Sequence, residues 1–215
     1  MEAVRGQDRG VLRELVLAGA AGLASMQAAL DRGDLDEAAR QGALAGPTVI
    51  ADALRSPVRA TQLAGIASAT SAQGRAELLE ALADVASAPD RRVAIPAAAA
   101  ARDIARGLAA AARAGVSSDD YAPADYDAWR ARWAELALRG DRWIELRVLA
   151  LDTTFALAAV MAALPSSERV DLGSSAVLGL DPARALNDPD PAFVLAAQAL
   201  GPPAAKALAP SAAKP

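Results

Sequence analysis

The sequence predicts an all-α protein, and three observations carry that prediction. Of its 215 residues, 60 are Ala, leaving about 54 larger apolar residues to build a core. Alanine is the strongest helix former and loses no side-chain entropy on folding. The aromatic residues that favour strands make up only 3% of the chain. Finally, short Gly, Pro, Asp and Ser breakers separate helical patterns at intervals of roughly 15 residues, a rhythm of helical hairpins.

Taken in order, residues 9–18 and 21–31 form the first predicted pair, closed by Arg32-Gly33-Asp34. Helices follow over 35–44 and 47–55, the second opening on Gly46-Pro47, because proline suits a first turn whose N–H is unpaired anyway. Ser56-Pro57 introduces a helix over 57–69. A further helix is predicted over 73–87, where Leu78, Leu79, Leu82 and Val85 fall at helical spacing. Ala88-Pro89-Asp90 opens the Ala-dense segment 90–114, which Pro96 either kinks or breaks. Residues 116–127 read as a polar loop, 126–138 and 142–163 as helices, 166–187 as less regular, and 191–200 as a short helix started by Asp188-Pro189-Asp190-Pro191. From Gly201 to Pro215 the Pro/Ala-rich end has few large side chains and reads as a flexible tail.

Composition excludes much chemistry. With no Cys and no His there is no disulfide framework, thiolate nucleophile, Ser-His-Asp triad or His/Cys zinc site. The chain carries 22 basic and 26 acidic residues, a net charge of −4, and the imbalance lies after residue 115, where 9 basic groups face 13 acidic ones. That balance provides no electrostatic footprint for nucleic acid or anionic membranes. The longest uncharged run, Leu15 to Leu30, is 16 residues interrupted by Gly19, Gly22 and Ser25, too short to span a bilayer. Glu2, Asp8 and Glu14 ahead of it are wrong for a secretory n-region. A soluble protein is expected, with the cytoplasm preferred over a trimmed periplasmic or secreted form and the oligomeric state open.

Four helix starts align with one another: Ser56-Pro57-Val58-Arg59, Asp90-Arg91-Arg92-Val93, Arg142-Trp143-Ile144-Glu145-Leu146-Arg147 and Asp188-Pro189-Asp190-Pro191-Ala192-Phe193. Their apolar anchors, Val58, Val93, Leu146 and Phe193, are 35, 53 and 47 residues apart, and small residues follow one turn later. This arrangement resembles the first helix of the repeat in the HEAT-repeat (armadillo-like α-solenoid) family. The resemblance implies a short α-solenoid of about four to five HEAT-like hairpins with irregular loops, forming a single domain over 1–200 with the tail at 201–215. It also implies an extended binding surface and a non-catalytic, scaffold role.

Five of the seven aromatic residues, Tyr121, Tyr126, Trp129, Trp133 and Trp143, fall within 23 residues and are interleaved with arginines. Aromatic residues and arginine are enriched at interaction hot spots. Tyr126, Trp129, Arg130, Trp133, Trp143 and Arg147 are therefore the candidate binding residues, with a core stripe supplying the bulk that Ala lacks as the competing reading. The expected partner is a protein, and the acidic second half favours one with a basic segment. Asp119, Asp120, Asp125 and Asp127 lack the Gly and distal Glu of a calcium loop, and Asp125 reads as the cap of a helix starting at Tyr126. No metal or cofactor is expected. The rival class is a HEAT-like enzyme or small-ligand binder with Trp143, Glu145, Arg147 and Asp152 on its concave face, for example a DNA-glycosylase-like protein.

Overall fold

The computed structural model describes residues 19–71, 76–116, 123–163 and 187–208, and every regular element among them is α-helical. The helices are α1 (19–31), α2 (Leu35–Ala45), α3 (Pro47–Leu54), α4 (Arg59–Ser71), α5 (Leu78–Ala86), α6 (Arg91–Arg113), α7 (Pro123–Ala137), α8 (Ile144–Ala163) and α9 (Pro191–Leu208). They group into two compact units, Met1–Val85 and Ala86–Pro215, where the sequence reading has one domain over 1–200. The predicted helix 9–18 lies outside the described residues, as does nearly all of 166–187. Helix α9 continues past Gly201 to Leu208.

Local signals set the helix ends. The Asp34 carboxylate accepts from the Glu37 N–H at 2.9 Å and caps α2, and that of Asp90 accepts from the Arg92 N–H at 2.9 Å and caps α6. Pro47 begins α3 at the position that tolerates its missing N–H. Gly33 and Gly46, at φ 75° and 100°, supply the turns around α2 in a region that a β-carbon disfavours. Pro96 lies inside α6, which nonetheless runs unbroken from Arg91 to Arg113. Ten of that helix's residues are buried, so packing offsets the hydrogen bond that proline removes.

In the first unit, α4 packs against both α2 and α3, and Met26 and Ala29 of α1 join Ala38, Ala53 and Ala64 in one buried cluster. The helices meet at small residues. A β-carbon on Gly42 would lie 2.2 Å from the Ser68 Oγ, and one on Gly22 would lie 2.3 Å from the Ala45 Cβ. Ser68 turns this closeness to use, donating to the carbonyls of Ala39 at 2.9 Å and Ala64 at 2.7 Å, one on each of two facing helices.

In the second unit, α8 is central and packs against α6, α7 and α9. It is the one helix among the described residues that is long and apolar enough to cross a membrane, with a mean hydropathy of 1.6. Being covered by three neighbours accounts for that composition. Its Thr153 and Thr154 hydroxyls are buried and donate to their own helix at Leu149 and Ala150, 2.9 and 2.8 Å away.

Helices α6, α8 and α9 share a register. Val93, Leu146 and Phe193 each occupy the third helical position, and Ala97, Ala150 and Ala197 the seventh; all six are buried. Val58 does not follow them, although the sequence aligns it as an anchor. Helix α4 begins one residue later, the Val58 N–H donates to the Ser56 Oγ at 3.2 Å, and the side chain is 54% exposed. Thr61, third in α4, takes the buried place.

Candidate functional site

The aromatic and arginine residues singled out by the sequence all belong to the second unit, where helical spacing divides them between interior and surface. On α7, Trp133 and Tyr126 are buried, while Trp129, between them along the helix, is half-buried and meets Tyr126 edge to face at a ring separation of 5.4 Å. Arg130 is only 2% exposed and is ion-paired with Asp127 one turn earlier. Helix α7 starts at Pro123, so Asp125 lies in its first turn, where its charge suits the helix dipole, and is not the cap that the sequence suggests. Asp119, Asp120 and Tyr121 lie outside the described residues.

Trp143 is half-buried just before α8, with the Arg142 guanidinium 5.9 Å from its ring centroid. Arg142 also donates to the carbonyls of Ala88, at 3.1 Å, and Ser87, tying the start of α8 to the turn before α6.

Arg147 makes the most elaborate contact. Its side chain is 3% exposed and pairs through both terminal nitrogens with the Asp188 carboxylate, itself 8% exposed. Its Nε donates to the Ala137 carbonyl at the end of α7, at 3.0 Å. The Phe193 ring of α9 lies 4.2 Å from the guanidinium carbon. One side chain on α8 thus fastens both the last turn of α7 and the first turn of α9, with its charge neutralised and a ring against its face. Burial pushes the Asp188 carboxyl up, but hydrogen bonds from Arg147 and the Asp190 N–H, with the Arg147 charge, hold it below the usual carboxylate range.

The carboxylates of the enzyme-like reading are engaged as well. Glu145 accepts two hydrogen bonds from Arg91, at 2.7 Å each, and Asp152 is gripped by Arg106 of α6, whose Nε lies 3.2 Å from it. Sequence reasoning missed the partners Arg91, Arg106 and Asp188. They stand 54, 46 and 41 residues from the groups they pair with, and no local spacing signals such a contact.

The first unit holds an open groove of about 520 Å³ between α1, at Ala20, Leu23 and Gln27, and the start of α4, at Val58 and Thr61. None of the candidate binding residues on α7 and α8 lines it. Its ionisable group is Asp52, 3.7 Å from Arg55 in an exposed pair. Among the described residues, no three acidic side chains converge as a metal site. Compared with known protein families, with characterised proteins and with solved structures, the chain finds no match.

Proposed function

We propose that this chain is a non-catalytic protein–protein interaction or scaffold protein of HEAT-repeat type. The observation that carries the reading is the shared register of α6, α8 and α9, in which a large apolar residue at the third position and Ala at the seventh are buried three times over. Helices that begin alike can stack alike, and stacked helices present an extended ridge to a partner. The partner's chemistry follows from charge: the acidic excess after residue 115 favours a basic segment, and salt should weaken the complex.

The engaged carboxylates support this reading over the enzymatic one. A general acid or base must reach the proton it moves, and the Glu145 and Asp152 carboxylates are each already engaged by an arginine, Arg91 and Arg106. The test pairs binding with chemistry. Affinity capture on the immobilised chain, followed by reconstitution with the purified candidate, should give a stoichiometric complex that raised salt weakens. The same chain should release no base from an alkylated DNA duplex. Base release that Asp152→Asn abolishes would overturn the proposal in favour of the glycosylase-like reading.

A further inference from the structure

We infer that the open groove of the first unit is a binding site for small aliphatic amines, with Asp52 and the Thr61 hydroxyl receiving the ammonium group and Leu23 and Val58 lying along the hydrocarbon tail. The groove belongs to a different unit from the helix register that carries the interaction reading, and neither depends on the other.

The groove holds a buried hydroxyl without a hydrogen bond. Thr61 is 5% exposed and lines the groove, and its hydroxyl has no hydrogen-bond partner among the described residues. The other buried hydroxyls among those residues, Ser68, Thr153 and Thr154, each donate to the carbonyl four residues earlier, at 2.7, 2.9 and 2.8 Å. Thr61 has no such turn beneath it, because α4 begins at Arg59 and the residue four earlier, Pro57, precedes the helix. The late start of α4 creates this polar spot: α6, α8 and α9 bury Val93, Leu146 and Phe193 at the third position, whereas α4 puts Thr61 there and leaves Val58 exposed on the groove wall. An unpaired buried hydroxyl costs its full desolvation, and a ligand in the groove can supply the missing bond.

The remaining polar groups of the walls select the ligand's head. Asp52 is the ionisable group of the lining; its side chain is 57% exposed, and Arg55 holds it loosely, at 3.7 Å, in a surface pair of the kind that contributes little. Gln27 donates its amide N–H to Asp31 at 2.9 Å and keeps its oxygen as an acceptor, while the Ser56 Oγ already accepts from the Val58 N–H. The groove thus offers acceptors and one negative charge, so a ligand that suits it donates. An ammonium group brings a positive charge, three donors and no acceptor, whereas a carboxylate or phosphate meets Asp52 with like charge. The other walls are apolar, and the volume of about 520 Å³ falls within the roughly 300–1,000 Å³ of small-ligand sites. These walls are also formed in advance. The Gln62 amide donates to the Leu54 carbonyl at 3.2 Å, tying α4 to the end of α3, and Met26, beside Gln27, anchors α1 in the buried cluster with Ala53 and Ala64.

A heteronuclear NMR titration of the full chain with hexylammonium, hexanol and hexanoate tests this, since the three share one tail and differ in the head. Hexylammonium should shift the amides of 20–27 and 52–61 with a Kd on the order of 1 mM. It should bind roughly tenfold more tightly than hexanol, and hexanoate should bind more weakly than either. Asp52→Asn should bring hexylammonium to the level of hexanol. Thr61→Val should weaken hexylammonium roughly threefold or more while leaving the chain at least as stable, because it removes an unpaired hydroxyl. Equal binding of the three heads, shifts confined to residues outside the groove, or no shift at concentrations about tenfold above that Kd would overturn the inference on the wild-type chain alone, whether or not a variant folds. A preference for hexylammonium that survives Asp52→Asn would do the same. Any of these results leaves the interaction reading standing, because that reading fails on base release and not on the groove.

Discussion

The two units solve one problem in different ways. Both are built from Ala-rich helices, whose small side chains leave little to interlock. In the first unit the helices come together until glycines touch the neighbouring helix, as Gly22 does at Ala45 and Gly42 at Ser68. In the second unit large side chains fill the space: Trp133 and Phe193 are fully buried, and arginines reach between helices to carboxylates and carbonyls. A shortage of bulky apolar residues can thus be met by shortening the distance between helices or by spending a few long residues at chosen points. The first unit should be sensitive to added volume and the second to lost charge.

The largest effect is expected at Arg147. Replacing it with Met strands the buried Asp188 carboxylate and should cost about 3–5 kcal/mol in urea unfolding. Adding Asp188→Asn should recover much of that loss, because the uncompensated charge is then gone. Equal stability of the single and double variants would show that the pair is not what holds α9.

Added volume comes next. Gly42→Ala should cost about 1–3 kcal/mol through overpacking against Ser68. Ser68→Ala in the same chain should relieve part of the clash while losing the hydroxyl's bonds to Ala39 and Ala64. A Gly42→Ala chain as stable as the wild type would mean that the helices lie further apart than described here.

Acid should act on the second unit through Asp188. Its carboxyl is held below the usual range in the folded state, so its contribution is present above the unfolded value of about 4 and is lost as pH falls through the lower folded value. Acid titration followed by α9 exchange should show undocking only below about pH 4, and Asp188→Asn should remove that step. The smallest effect is a gain: Gly107 lies in the interior of α6 with nothing within 4 Å of its missing β-carbon, so Gly107→Ala should stabilise the chain by about 0.5–1 kcal/mol.

How much of this the sequence shows depends on the range of the interaction. Asp34, Asp90 and Pro47 act within one turn, and the helices they start lie where the sequence puts them. Pro96 was ambiguous because its local cost competes with burial along α6, a tertiary quantity. Val58 aligns with the anchors in sequence, but α4 starts at Arg59, three residues later than their register requires, which leaves Val58 an exposed entry residue and puts Thr61 in the buried place. The aromatic cluster was visible as composition, but its division into buried Trp133 and half-buried Trp129 and Trp143 depends on which faces of α7 and α8 the neighbouring helices cover. Asp188 was visible only as part of a turn, since its partner lies 41 residues away.

The central claim is that long side chains in the second unit are spent on packing, and Trp133 tests it most directly. Single-tryptophan chains, with the other two replaced by Phe, would be compared by emission maximum and acrylamide quenching. The structure predicts blue-shifted, protected emission for Trp133 and redder, more readily quenched emission for Trp129 and Trp143. A Trp133 quenched as freely as Trp129, in a chain that remains folded, would contradict the account and make the whole stripe an exposed surface.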